Sequence, residues 1–258
     1  MRETAALETF KILQNGVTVN IVNSAALPEP AAFLSPAEIE KYNSFKIPKR
    51  KADWLGGHYA AKTLLAAMTR REDPVNIEIS YDDYGRPRAA GLAISISHSG
   101  ALALAALKGG SNFLGADIEF IEDRCAAWYA DYFAPGELAL PGPSSFAPAL
   151  LPGASKKRGL AKLLLSEAVT LSASGGRGSM ALSAADPSEA TKLWTIKEAA
   201  LKALGLGLKA DLRDARFENG TVHFRKAALE RYRALGTPAF AVSSFLFKNA
   251  FWITAVSA

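Results

Sequence analysis

Residues 141–189 read PGPSSFAPALLPGASKKRGLAKLLLSEAVTLSASGGRGSMALSAADPSE, a run rich in Pro, Gly, Ser and Ala with one helix-like core at 159–171. A stretch of this length and composition inside a compact chain is an insertion or an excursion rather than a domain. It constrains everything else. The core must be built from what lies on either side of it, and both sides carry strand and helix patterns.

Upstream, VTVNIV (17–22) reads as a strand from its β-branched alternation. LSPAEIEKY (34–42) opens a helix: Ser35 can cap it, Pro36 suits the first helical position, and Glu38 completes a capping box. Positions 49–71 predict a longer helix with Leu55, Tyr59, Leu64, Leu65 and Met68 on its buried side. Strands are expected at 75–80, 93–97, 102–107 and 113–120, with YGRP (84–87) as a turn between the first two. Helical patterns fill most of 124–140 and 187–204. Downstream, strands at 214–218 and 221–225 flank Asn219-Gly220, a strong hairpin signal, and two more follow at 239–247 and 251–257. At 258 residues the chain can hold one large domain or two small ones, and no internal repeat is visible.

Composition excludes several classes. The single cysteine, Cys125, allows no internal disulfide and no cysteine-built metal site, and fits a reducing compartment. The N-terminal residues alternate polar and apolar without the apolar core of a signal peptide. No run approaches the roughly 18 apolar residues of a membrane span. The expectation is a cytoplasmic protein without a membrane partner. A net charge of +5 is mild and suits an acidic partner or a phosphate-rich ligand.

Five short stretches could carry chemistry. In GADIE (115–119) Asp117 and Glu119 are two apart on a strand, so both carboxylates point one way. Like charges that close repel unless a cation lies between them, and a hard divalent ion suits oxygen ligands. The same spacing also describes two solvated acids at a strand edge, the commoner case. SISHSG (95–100) ends a strand in small polar residues around His98, which could donate to a phosphate or simply satisfy turn carbonyls. GRP (85–87) would hold Arg86 in a tight turn fixed by Pro87, near an anion or in solvent. Lys51, His58 and Lys62 fall near one helical face, usually a solvated one. In WTIKEAALKALG (194–205) Glu198 and Lys202 project together, while Lys197 points about 100° away toward a different group. An exposed pair of this kind contributes only about 0.3–0.5 kcal/mol, little reason to keep it for stability.

Taken in order, GRP, SISHSG, GADIE and WTIKEAALKALG resemble the 4′-phosphopantetheinyl transferase superfamily in its longer, Sfp-like monomeric form, from about Phe45 to Phe217. KRKADWLGGHYAAK resembles the family's basic helix, and YFAPGEL (132–138) its short segment after the metal strand. The resemblance implies an α+β fold of two similar α/β halves related by a pseudo-twofold, here 1–111 and 112–258, with coenzyme A in the cleft between them and an unusual insertion at about 141–189. It implies a reaction: a serine of an apo acyl or peptidyl carrier protein takes the 4′-phosphopantetheine arm of coenzyme A, and 3′,5′-ADP leaves. By the same resemblance Asp117, Glu119 and Glu198 hold Mg²⁺, Glu198 accepts the serine proton, and Lys202 neutralises the pyrophosphate. Ser97 and His98 meet the 3′-phosphate, Arg86 and Pro87 the adenine side, and Lys51, His58, Lys62 and Lys197 further phosphates.

Three features depart from the family pattern. His58 stands where arginine is usual, Ala116 where a larger aliphatic residue is usual, and the 141–189 stretch is longer than typical. Two rivals stay open. Acids on a strand with Glu and Lys on a helix also suit a Mg²⁺-dependent phosphodiesterase or nuclease, although +5 is modest for gripping nucleic acid. A carrier-binding module that has lost catalysis would keep the fold but has no need of the four intact residues.

Overall fold

The structure, a computed structural model, describes residues 8–70, 73–89, 91–110, 112–138 and 186–258. Strands β1 (Glu8–Ile12) and β2 (Thr18–Asn23) lead to helices α1 (Pro36–Ser44) and α2 (Pro48–Thr69). Next come β3 (Ser80–Tyr81), β4 (Pro87–Ala89), β5 (Leu92–Ser99), β6 (Leu102–Leu107), β7 (Leu114–Phe120) and the short helix α3 (Ala126–Tyr132). Helix α4 (Pro187–Ala203), the hairpin β8 (Ala215–Glu218) and β9 (Thr221–Phe224), helix α5 (Lys226–Ala234) and strands β10 (Ala241–Phe247) and β11 (Phe251–Ser257) complete the order. The chain is thus mixed α+β with antiparallel sheets: six strands ordered β1-β2-β6-β5-β4-β3, three ordered β10-β11-β7, and the β8-β9 hairpin. The described segments on both sides of 139–185 belong to one compact unit.

Most local signals act as read. Ser35 caps α1 through the Glu38 N–H, and the Glu38 carboxylate returns to the Ser35 N–H at 2.9 Å. Glu38 also meets the ammonium of the fully buried Lys62 on α2, which donates to Phe33 O at 2.8 Å as well. Asn219 and Gly220 take φ of 50° and 80°, the left-handed pair that a two-residue hairpin turn needs. Helix α2 packs Ala60, Ala61, Leu64 and Leu65 on Val22, Ile94, Ala103 and Ala105 of the large sheet. The opposite face of that sheet packs Val19, Ile21 and Leu104 on Ala116, Ile118, Ile253 and Ala255 of the three-stranded one.

Three expectations need correction. The strand over 75–80 survives only at Ser80, because Pro74–Asn76 is a 3₁₀ turn held by the Asp73 carboxylate on the Val75 N–H. The helix over 124–140 shortens to α3, and the chain leaves it at Phe133, ahead of Pro135 and Gly136. Helix α5 and strand β1 were not foreseen: α5 has no side-chain cap at its start, and β1 is largely exposed, so neither carries a strong signal. The helix-like core at 159–171 lies outside the described residues, whereas the helix expected over 187–204 is present as α4, its first turn under an Asp186 cap.

Gly115 decides how close α4 comes to β7. A Cβ there would lie 1.9 Å from the Ala199 carbonyl oxygen and 2.5 Å from the Ala203 nitrogen, so only glycine lets the helix lie on the strand at this depth. That approach brings the acidic side of β7 against the Glu198 face of α4.

Candidate active site

Along β7, Ala116 and Ile118 join the core between the sheets, so Asp117 and Glu119 face the other way, toward α4. On α4, Glu198 and Lys202 are one turn apart. The carboxylates of Asp117, Glu119 and Glu198 each offer one oxygen within 4.8 Å of the others. Lys202 Nζ donates to Asp117 Oδ1 at 2.6 Å and lies 3.5 Å from Glu198 Oε2, with further bonds to Ser97 Oγ at 3.0 Å and Ala116 O at 3.3 Å.

Burial, and then the charge of Asp117, pushes Glu198 up to about 8 and Glu119 up to about 7. Burial alone would lower the Lys202 ammonium, but the Asp117 and Glu198 carboxylates overcome it and raise it. Lys202 is one cation against three acids, and Asp117 Oδ2 stays buried without a hydrogen-bond partner. Three carboxylates with a buried oxygen left over fit a divalent ion that prefers oxygen, such as Mg²⁺.

Beside the acids opens a cleft of ≈ 640 Å³. Arg86, Pro87, His58, His98 and Lys202 line it. Arg86 Nε donates to Asp82 Oδ2 at 2.7 Å, while its Nη1 is buried with no hydrogen-bond partner. His98 is half exposed, its Nδ1 3.7 Å from Asp53 Oδ2, and burial lowers its pKa. His58 stacks on Trp54 with centroids 3.6 Å apart, and its Nδ1 is 3.0 Å from Trp54 O. Burial pulls His58 down to about 4, so it enters the cleft wall uncharged.

Four expected phosphate contacts lie elsewhere. Lys62 is fully buried against Glu38. Lys197 is fully buried too, donating to Glu137 Oε2 at 2.9 Å and Tyr132 O at 2.8 Å, which ties α3 and the segment after it to α4. Lys51 sits 4.1 Å over the Tyr42 ring and is not in the cleft wall. Ser97 donates to Asp117 Oδ1 at 2.6 Å and so serves the acids rather than the cleft. In their place Arg50, Trp54, Tyr81, Tyr84 and Lys209 line the cleft. Arg50, Trp54 and His58 recur every four residues on α2, and that stripe was the available signal. A second groove, ≈ 760 Å³, takes Glu119 and Glu198 into its wall with Trp128, Tyr132 and Trp194. Trp128 stacks on Trp194 at 4.9 Å, and Tyr132 meets Trp194 edge-on at 4.6 Å.

Comparison with known proteins adds three findings. No curated protein matches the chain. Among solved structures, the Thermotoga maritima holo-[acyl-carrier-protein] synthase (AcpS) aligns at 15% identity and a TM-score of 0.29, over 49% of this chain and 76% of its own. A family model, described as the 4′-phosphopantetheinyl transferase superfamily, matches residues 170–250. The matched segment, residues 170–250, carries Glu198 and Lys202 and includes the last of the four motifs, WTIKEAALKALG.

Proposed function

We propose that this protein transfers the 4′-phosphopantetheine arm of coenzyme A to a serine of an apo acyl or peptidyl carrier protein, with Mg²⁺, releasing 3′,5′-ADP. The observation that carries the proposal is the meeting of Asp117, Glu119 and Glu198 within 4.8 Å under Lys202, which itself reaches the wall of a cleft where Arg86 keeps a buried Nη1 without a partner. Asp117, Glu119 and Glu198 would hold the ion, which when bound supplies charge neutralisation at the diphosphate. In the cleft His98 meets the 3′-phosphate, and Arg86 with Pro87 lies on the adenine side. Lys202 borders both the acids and the cleft, so its ammonium neutralises the bridging phosphate oxygen and protonates it as the nucleotide departs. Glu198 faces the second groove and accepts the proton of the carrier hydroxyl arriving there. One Oγ–P bond forms, one P–O bond to the nucleotide breaks, and the acceptor enters opposite the leaving group. The division into halves at 111 and 112, the monomeric state, the cytoplasmic location and a role for 141–189 in choosing the carrier belong to the same proposal.

The test is incubation with coenzyme A, Mg²⁺ and a panel of apo carriers, read by intact mass. The wild type adds one phosphopantetheine mass to at least one carrier. Asp117→Ala and Glu198→Gln add none while keeping native circular dichroism. Wild-type rates in either variant would refute the metal assignment. Cleavage of DNA or RNA included in the same series, with no carrier modified, would favour the phosphodiesterase reading.

A further inference from the structure

The two motifs on β5 and β7 are in step. Ser95, Ser97 and Ser99 alternate along β5, so their hydroxyls share the side that faces β7. Ser95 Oγ accepts the Ala116 N–H at 2.8 Å, Ser97 Oγ donates to Asp117 Oδ1 at 2.6 Å, and Ser99 Oγ accepts the Phe120 N–H at 3.0 Å. Ser99 then donates to Glu119 Oε2 at 3.1 Å. Every bond spans 20 or 21 residues, so β5 and β7 run in the same direction and in register. The serine spacing matches the carboxylate spacing, two residues in each case.

The three hydroxyls differ in what they hold. Ser95 touches only backbone: it takes the Ala116 N–H, and its own hydroxyl points to Ala116 O at 3.5 Å. Ser97 shares Asp117 Oδ1 with Lys202, which would hold that oxygen without it. Ser99 is different. The Phe120 N–H occupies a lone pair of its oxygen, and its single proton goes to Glu119 Oε2. Glu119 has no lysine on it, so among the hydrogen bonds described Ser99 alone fixes its carboxylate.

We propose that Ser99 is a positioning residue for the divalent ion, fixing one oxygen of Glu119 so that the carboxylate stays turned toward Asp117 and Glu198. The inference rests on the metal reading above. A longer side chain that is not tethered would have to order its rotamers on binding, and outer partners of ligating carboxylates typically carry a tenfold to hundredfold share of metal affinity.

The test uses the purified full-length protein without coenzyme A, with Mn²⁺ as the probe followed by electron paramagnetic resonance, and melting temperature in chelator as a second reading. Ser99→Ala is expected to weaken Mn²⁺ about tenfold, while Ser99→Thr, which keeps a hydroxyl, and Ser95→Ala, which loses only backbone bonds, stay within about twofold of wild type. Ser95→Ala nevertheless lowers the melting temperature. Wild-type Mn²⁺ affinity in Ser99→Ala overturns the proposal, and so does equal weakening in Ser95→Ala, which would make the ladder purely structural. If wild-type protein fails to bind Mn²⁺, or Asp117→Ala binds it equally well, the metal reading itself fails and takes this proposal with it.

Discussion

Lys202 has a fifth of its side chain in solvent, while the carboxylate it bonds, Asp117, has almost none. It is therefore placed to act on a ligand in the cleft without leaving the acids, whereas His98 meets only the cleft. Lys202→Ala should lower kcat by about 10²–10³-fold, the usual loss for one preorganised charge donor. His98→Ala should instead raise KM for coenzyme A and leave kcat within a few-fold, as steady-state kinetics at varied coenzyme A would show. Equal losses in both constants for both variants would undo this division. The raised acids give a second prediction. With Glu119 up to about 7 and Glu198 up to about 8, protons compete with the ion, so apparent Mg²⁺ affinity should climb from pH 6 to pH 8.5 and then level. Calorimetric titration across that range checks it, and a flat profile would mean that the ion does not displace those protons. The acids were legible in the sequence because strand and helix periods alone put them on shared faces. The destination of Ser97 was not, because a serine in SISHSG reads the same whether it faces a phosphate or a carboxylate.

At the scale of elements, α1 and α2 are fastened by one buried pair. Glu38 caps α1 and also neutralises Lys62, whose side chain is wholly buried. Lys62→Ala would leave the Glu38 carboxylate buried without its counter-charge, at a cost of about 3–5 kcal/mol in urea unfolding. Lys62→Met combined with Glu38→Gln should recover part of it, because no lone charge then remains. A loss below about 1 kcal/mol for Lys62→Ala would show the pair to be a solvated contact instead. The sequence placed Lys62 on a basic face together with Lys51 and His58. Spacing by four and seven does describe a common side of α2, but it cannot say whether that side meets solvent or α1. Of that face only His58 reaches the cleft, where Arg50 and Trp54 join it. Helix α5 escaped for a related reason: it is held by contacts such as Arg231 Nε on Leu204 O at 3.0 Å, which no local pattern encodes.

Across the whole molecule, two sets of buried groups pull stability in opposite directions with pH. His58 is held near 4, well below its ordinary value of 6.5. An unfolded chain takes up that proton first, so the stability associated with neutral His58 is complete above pH 6.5 and is lost as pH falls toward 4, by roughly 3 kcal/mol. Glu119 and Glu198 behave in the opposite way. Raised carboxyls favour the folded state while protonated, so this stability is complete below pH 4.5 and is lost as pH rises from there to about 7 for Glu119 and about 8 for Glu198. Thermal melts in chelator should therefore be highest near pH 4.5 as far as these groups decide, because two carboxyls outweigh one imidazole above it, and Mg²⁺ should restore the alkaline limb only. His58→Gln removes the opposing contribution, so stability should fall more steeply from pH 4.5 to 6.5, and an unchanged slope there would mean that His58 is not held neutral. By itself the sequence determined most of the element types, the α1 capping box, the Asn219-Gly220 hairpin and the pairing of acids by strand and helix period, because each is a rule acting over a few residues. Only the tertiary structure decided that α4 lies on Gly115, that Lys62 and Lys197 are buried struts, and that the β5 serines hold the β7 acids. Those outcomes depend on which surfaces meet across some 20 to 80 residues of chain, and the energy of such a meeting belongs to both partners at once.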